Sequence, residues 1–207
     1  MRPAIALLAG TLAVIAGAAH AQDKPVLAPT RDVAVTYRVS GANRTNGAAI
    51  IKMTYADHDQ KVRLDLFAFE GATTPFGSLI YDQPDNRVLS LIRDRNAYFE
   101  LPATGRVNPG LMLGANMQYK RLGTATIAGQ KCTDWQVSDG AEDKGTTCVT
   151  DDGIVLRGTR LKPKPSGIEA IAIDYGTPPD SIFQPDPGLV LQSNQPGLPV
   201  LPAQPRR

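Results

Sequence analysis

Residues 123–157 read GTATIAGQKCTDWQVSDGAEDKGTTCVTDDGIVLR. The stretch holds both cysteines of the 207-residue chain and its one tryptophan. Short runs rich in Thr, Val and Ile alternate with turn signals such as Asp139-Gly140 and Asp151-Asp152-Gly153, the pattern of consecutive β-hairpins. Cys132 shares a strand face with Asp134 and Gln136. Trp135 falls on the other face with Thr133 and Val137. A bridge from Cys132 to Cys148 would therefore lie on the more polar face, and Trp135 would enter the core. The alternatives are a metal pair or a redox pair. There is no CxxC spacing, and His58 is the sole histidine beyond residue 21. A structural disulfide in an oxidising compartment is the expectation.

The N-terminus supports that compartment. Arg2 is followed by AIALLAGTLAVIAGA at residues 4–18, then Ala19-His20-Ala21 and a polar Gln22-Asp23-Lys24. This is the three-part layout of a signal peptide, with cleavage between Ala21 and Gln22. The apolar run is shorter than the roughly 20 residues of a membrane span. No later stretch is long enough to span, so the expectation is an exported protein without a transmembrane segment, periplasmic or secreted. Loss of residues 1–21 removes one of 22 basic residues and none of the 20 acidic ones, leaving a net charge of +1. A balanced surface argues against nucleic acid as the partner. The local cluster Arg157, Arg160, Lys162 and Lys164 reads as a solvated strand end.

Outward from the opening stretch, the chain continues in the same style. Residues 32–40, DVAVTYRVS, put Val33, Val35, Tyr37 and Val39 on one face. Residues 49–55, 61–69, 79–81, 87–92 and 96–101 read as further strands, and 119–127, 132–138, 146–150, 154–161 and 168–175 complete about eleven. No long amphipathic helix interrupts them. Residues 102–117, with Pro109 and the cluster Leu111-Met112-Leu113, read as a long loop, a length usually functional or mobile in a compact domain. The expected organisation is a signal peptide (1–21), a leader (22–30), an antiparallel β domain (31–183) and a Pro-rich flexible tail (184–207) with six prolines.

Chemistry-bearing constellations are thin. His58 lies in Ala-Asp-His-Asp-Gln, a polar turn. Asp82-Gln83-Pro84-Asp85-Asn86 and Asp151-Asp152-Gly153 lack the glycine and distant glutamate of a calcium loop. No phosphate-binding loop, dinucleotide fingerprint or HExxH motif occurs. The expectation is no enzyme, no catalytic residue, no metal and no cofactor. Apolar side chains on both faces are more informative. Leu64 and Leu66 oppose Phe67 and Phe69, Val88 and Ile92 oppose Leu89 and Leu91, and Ile171, Ile173 and Tyr175 oppose Ile168, Ala170 and Ala172. A sheet with one wet face would not need this. Either both faces are covered by a filled core, or one lines an apolar groove. In the groove reading, Phe67, Phe69, Phe99, Leu111, Met112 and Leu113 are the candidate ligand contacts, with 111–113 as a lid.

The spacing Gly-x-x-x-Ile-Ala-Gly-x-x-Cys at 123–132, the Trp-x-Val strand and Cys-Val-Thr-Asp-Asp-Gly-Ile-Val-Leu-Arg at 148–157 resemble the central hairpins of the LolA/LolB-like periplasmic superfamily, nearest to its uncharacterised members. Arg87-Val88-Leu89-Ser90-Leu91, Ala97-Tyr98-Phe99-Glu100-Leu101-Pro102 and Asp180-Ser181-Ile182-Phe183 resemble other parts of it. The resemblance covers residues 31–188. It implies one strongly curved antiparallel half-barrel whose concave face is covered by short helices or loops. It also implies that a lipid-like or other apolar ligand is held there. A cell-envelope interaction or stress protein with no small ligand is the alternative.

Overall fold

The computed structural model describes residues 24–41, 48–57, 60–102, 113–161 and 165–192. The signal-peptide reading with its Ala21–Gln22 junction, His58, Leu111, Met112 and residues 193–207 lie outside them. Twelve strands form one sheet: β1 (Val33–Gly41), β2 (Ile50–Ala56), β3 (Lys61–Phe67), β4 (Gly77–Asp82), β5 (Arg87–Ile92), β6 (Ala97–Pro102), β7 (Gln118–Ile127), β8 (Gln130–Ser138), β9 (Asp143–Val149), β10 (Val155–Arg160), β11 (Ser166–Tyr175) and β12 (Val190–Leu191). The order is β12-β6-β5-β4-β3-β2-β1-β11-β10-β9-β8-β7. It consists of two meanders, β1–β6 and β7–β11, welded by the antiparallel pair β1–β11. The fold is thus mainly β, a single open and curved sheet, as the hairpin reading implies. The eleven strands expected are all present, and β12 is the addition.

Curvature follows from the connections. β6 and β7 lie ten strand positions apart, about 48 Å across a flat sheet. Sixteen Cα steps join Pro102 to Gln118, a reach of about 55 Å fully extended. A flat sheet would leave that link almost no slack. The sheet bends instead, and β7 touches β11 across three intervening strands. The β10–β11 ladder runs from Arg160–Ser166 only as far as Arg157–Glu169. A bulge at Val155–Arg157 marks the place where β10 turns away from its neighbour.

The concave face of β1–β3 is filled. Val33, Val35, Tyr37, Met53, Tyr55, Val62 and Leu64 are buried in one cluster with Ile127, Cys132, Cys148, Ile154 and Leu156 from the other half of the sheet. The Tyr37 hydroxyl donates to the Val155 carbonyl at 2.8 Å in this core. The cover expected over the concave face is therefore supplied, along β1–β3, by the sheet's own second half. A second bulge alters the reading of β11. Val35 pairs with Ile173, Thr36 with Ala172 and Tyr37 with Ala170, so Ile171 is the extra residue. Ile168 and Ala170 consequently share the core with Ile173 and Tyr175 rather than opposing them.

Cys132 and Cys148 form the disulfide, with Cα atoms 5.4 Å apart. It lies diagonally across β8–β9, since Cys148 pairs with Asp134. Trp135 is on the opposite face of β8, as expected, under Leu113, Val149, Val155, Leu27 and Tyr119. The bridge itself is as deeply buried as the tryptophan, because Leu156, Ile154 and Ile127 enclose it. Polarity on that face belongs to the half-buried Asp134 and Gln136 further along.

The leader is part of the domain. Thr30 N–H donates to the Asp152 carbonyl at 3.0 Å, and Arg31 pairs with the Asp152 carboxylate at 2.7 Å. Gly153, at φ +86°, admits this approach: a Cβ there would stand 2.1 Å from the Ala28 carbonyl oxygen. The C-terminal boundary also moves. Residues 184–192, expected in the free tail, are held on the sheet, with β12 parallel to β6.

Two outcomes test this core. Replacing both cysteines by alanine is expected to lower stability by about 3 kcal/mol, the loop-closure value for a loop of this length, read from urea unfolding. The second concerns Tyr37, whose phenol burial pushes well above its usual 10.0, with Tyr55 adding to the effect. A group of raised folded pKa contributes fully below its unfolded value and loses that contribution as pH rises. The melting temperature is therefore expected to fall above pH about 10. Tyr37→Phe should shrink that alkaline loss while costing about 1 kcal/mol at neutral pH through the orphaned Val155 carbonyl.

Candidate functional site

On the convex face, period-two alternation points Ile50 and Lys52 of β2 and Phe67 of β3 away from the core. Ile50 pairs with Phe67, and Lys52 pairs with both Thr36 and Asp65. The bulge adds Ile171 to the same side. With Phe69, Glu70, Gly71 and Ala72 from the β3–β4 loop and Thr36, these residues line a cleft of about 230 Å³. Phe67 is half-buried there and Phe69 is 64% exposed. Phe76, at the far end of the loop, is 38% exposed. The loop is tethered at its tip by a two-pronged ion pair: Arg38 Nη2 to Glu70 Oε1 at 2.9 Å and Nε to Oε2 at 3.3 Å. Lys52 has no carboxylate partner among the described residues, so a cation stands beside an apolar opening.

Of the expected ligand contacts, the structure brings Phe67 and Phe69 together in this cleft. Phe99 is buried on the opposite face, across from Ser90. Leu113 is a core residue under Trp135, and the Tyr119 hydroxyl, donating to the Gly114 carbonyl at 2.9 Å, ties its segment down. Ile50, Lys52 and Ile171 were not anticipated. Ile50 was discoverable as the cross-strand neighbour of Phe67. Ile171 was not, because a bulge leaves no alternation signal.

Next to the cleft, the same face holds an ionic cluster. Arg63 Nε donates to both oxygens of Asp65 at 2.9 and 3.0 Å, and the Ser78 hydroxyl donates to Asp65. All three residues are buried. Arg93 donates to the Ser78 hydroxyl at 2.9 Å and pairs with Asp186, which also pairs with Arg63 at 3.3 Å. Removing one partner from a buried charged cluster strands the other. Asp65→Asn is therefore expected to cost about 3 kcal/mol in urea unfolding, whereas Glu70→Gln at the exposed loop pair should change stability by under about 1 kcal/mol.

A second cleft, of about 280 Å³, is lined by Leu122, Gly123, Thr124, Asp134, Thr146 and Arg157. Its cation is matched: Arg157 pairs with Asp134 at 3.0 Å and faces Glu169 at 3.8 Å. Among the described residues no group of three or more His, Cys, Asp and Glu is placed to hold a metal ion. No helix among them is long and apolar enough to cross a membrane.

No protein-family model matches the chain, and no curated protein matches it. Solved structures do. The chain is similar to an uncharacterized conserved protein from Thermus thermophilus, at 9% identity and a TM-score of 0.53, covering 79% of this chain and 91% of that one. A chain of the Pseudomonas aeruginosa MucA/MucB complex aligns at 15% identity and a TM-score of 0.45, covering 74% of this chain and 55% of that one. A LolA superfamily protein from Nitrosomonas europaea aligns at 11% identity and 0.39, covering 77% and 93%. The likeness is one of fold. A LolA superfamily protein is among the structures it extends to.

Proposed function

We propose that the protein is an exported, periplasmic cell-envelope protein that binds an anionic amphiphile. The ligand's apolar chain lies in the cleft of Ile50, Phe67, Phe69 and Ile171, and its headgroup meets Lys52. The observation that carries this reading is the solvent-open Phe69 beside a lysine with no carboxylate partner among the described residues. Burial of one acyl chain gains about 0.8 kcal/mol per CH₂ withdrawn from water, and Lys52 selects the charged end. The site moves from the concave face, which is packed along β1–β3, to the convex one. The disulfide supports an oxidising compartment, and the signal-like residues 1–21 support export. No cofactor or catalytic step enters the reading.

The test uses a fluorescent fatty acid and the mature protein. Phe69→Ser and Lys52→Glu change exposed side chains, so their melting temperatures should stay within about 2 °C of wild type. Each is expected to weaken binding at least tenfold. A wild-type protein that takes up neither this probe nor dodecyl phosphate, and releases no amphiphile on solvent extraction from its native host, would overturn the reading. That result would favour the alternative of an envelope interaction protein without a small ligand. Its supporting observation is the ten-residue edge strand β7, with Lys120 and Arg121 exposed and no strand on its outer side among the described residues.

A further inference from the structure

The convex face of β3–β6 carries another surface, and the chain's own C-terminal segment lies on it. The segment is held at three places. Phe183, at the end of the 3-10 turn Asp180–Phe183, is buried with Ala56, Ile80, Leu89 and Leu91, and Ile182, Leu189 and Tyr98 pack around them. The Asp186 carboxylate bridges Arg63 and Arg93, and Arg63 also donates to the Ile182 carbonyl at 2.7 Å. Val190 N–H donates to the Asn96 carbonyl at 3.1 Å and Gln192 N–H to the Tyr98 carbonyl at 3.0 Å, adding β12 to the edge of β6.

Between Phe183 and Val190 the backbone is not laddered to the sheet. Pro185 and Pro187 have no N–H to give, and the Gln184 and Leu189 amides donate within the segment, to Ser181 and Asp186. Val190 and Leu191 are 56% and 50% exposed. The segment is thus bound by side-chain anchors and a two-residue strand. Those are the means by which one protein takes up an extended stretch of another: backbone bonds to a sheet edge, with pockets for chosen side chains. Without the segment, Arg63 would keep Asp65, while Arg93 would keep only the neutral Pro75 carbonyl and Ser78 hydroxyl, beside an uncovered apolar patch. Such a surface demands an acid flanked by apolar residues.

We propose that this surface is a peptide-binding site occupied by the chain's own segment. Its exchange partner is an extended segment of another protein carrying an apolar residue, a carboxylate three positions later and an apolar residue three after that. Phe183, Asp186 and Leu189 are the template. Exchange requires only local opening, which weakly laddered segments undergo without global unfolding. The inference does not depend on the amphiphile reading, and neither Phe69 nor Lys52 takes part in it.

The test is made on the full mature chain, with a fluorescein-labelled synthetic peptide of residues 181–192 as the probe. Asp186→Arg places a third cation beside Arg63 and Arg93 and should release the segment. The peptide is expected to bind this variant at least tenfold more tightly than wild type, and a peptide carrying Asp186→Asn should lose at least tenfold. Equal binding to both proteins, or no binding to a variant whose circular dichroism shows an intact sheet, would overturn the proposal. Should the variant not fold, hydrogen exchange on wild type decides. The Val190 and Gln192 amides should exchange at least 100-fold faster than those of β4, and faster still in high salt. Exchange at the global unfolding rate would show a segment that never leaves.

Discussion

The pairing of β1 with β11 is the bond on which the architecture depends. Every other antiparallel neighbour in the sheet is a strand and its immediate successor in the chain. Without β1–β11 there would be two separate meanders, each with one bare face. The pairing brings residues 33–41 against 166–175, so loop-closure entropy over most of the domain must be met before the concave core forms. What offsets that cost is concentrated at the seam: Val33, Val35, Tyr37 and Val39 from one strand and Ile168, Ala170, Ile173 and Tyr175 from the other all enter the same core. The fully buried Tyr37 hydroxyl then reaches the Val155 carbonyl and ties the seam to β10.

Bulges in β10 and β11 shape the seam where the two meanders meet. At Val155–Arg157 the ladder to β9 skips a residue, and beyond Arg157 β10 leaves β11. The disulfide side of β8–β9 can then join the core of β1–β3. At Ile171 the extra residue keeps both ends of β11 facing that core, at the cost of turning one isoleucine outward. That outward residue is one wall of the convex cleft. The bulge that keeps β11 on the core thus also supplies part of the cleft.

Strand positions were legible in the sequence because alternation is a local property. The reading of 32–40 differs from β1 by one residue at each end, and 87–92 coincides with β5. The hairpin order was legible for the same reason, since turn signals separate neighbours. What alternation cannot report is a change of phase, so strict alternation puts Ile168 and Ala170 opposite Ile173 and Tyr175, whose face they in fact share. Nor does it say which covering segment lies on which face. Leu113 reads as part of a lid because its cluster lacks alternation, yet it lies in a core with Trp135. The cleft was half legible: Phe67 and Phe69 announce themselves as aromatics opposite leucines, while Lys52 looks like any solvated strand lysine. The segment from Gln184 onward reads as tail because prolines dominate it, although Asp186 and Leu189 each have a specific place on the sheet.

Charge on the convex face explains why Lys52 stays available. Its pairing partner across β2–β3 is Asp65, the carboxylate that proximity would assign to it. Asp65 is already engaged, with both oxygens accepting from Arg63 Nε and one also accepting from the Ser78 hydroxyl. A planar guanidinium fixed by several partners loses less freedom in meeting those oxygens than a flexible ammonium would. Arg63 in turn is fixed by the Ile182 carbonyl and Asp186. The C-terminal segment thus helps to hold the guanidinium that engages Asp65. The covered surface and the open cleft thus lie side by side on one face, with Asp65 engaged by the arginine of the first and Lys52 exposed in the second.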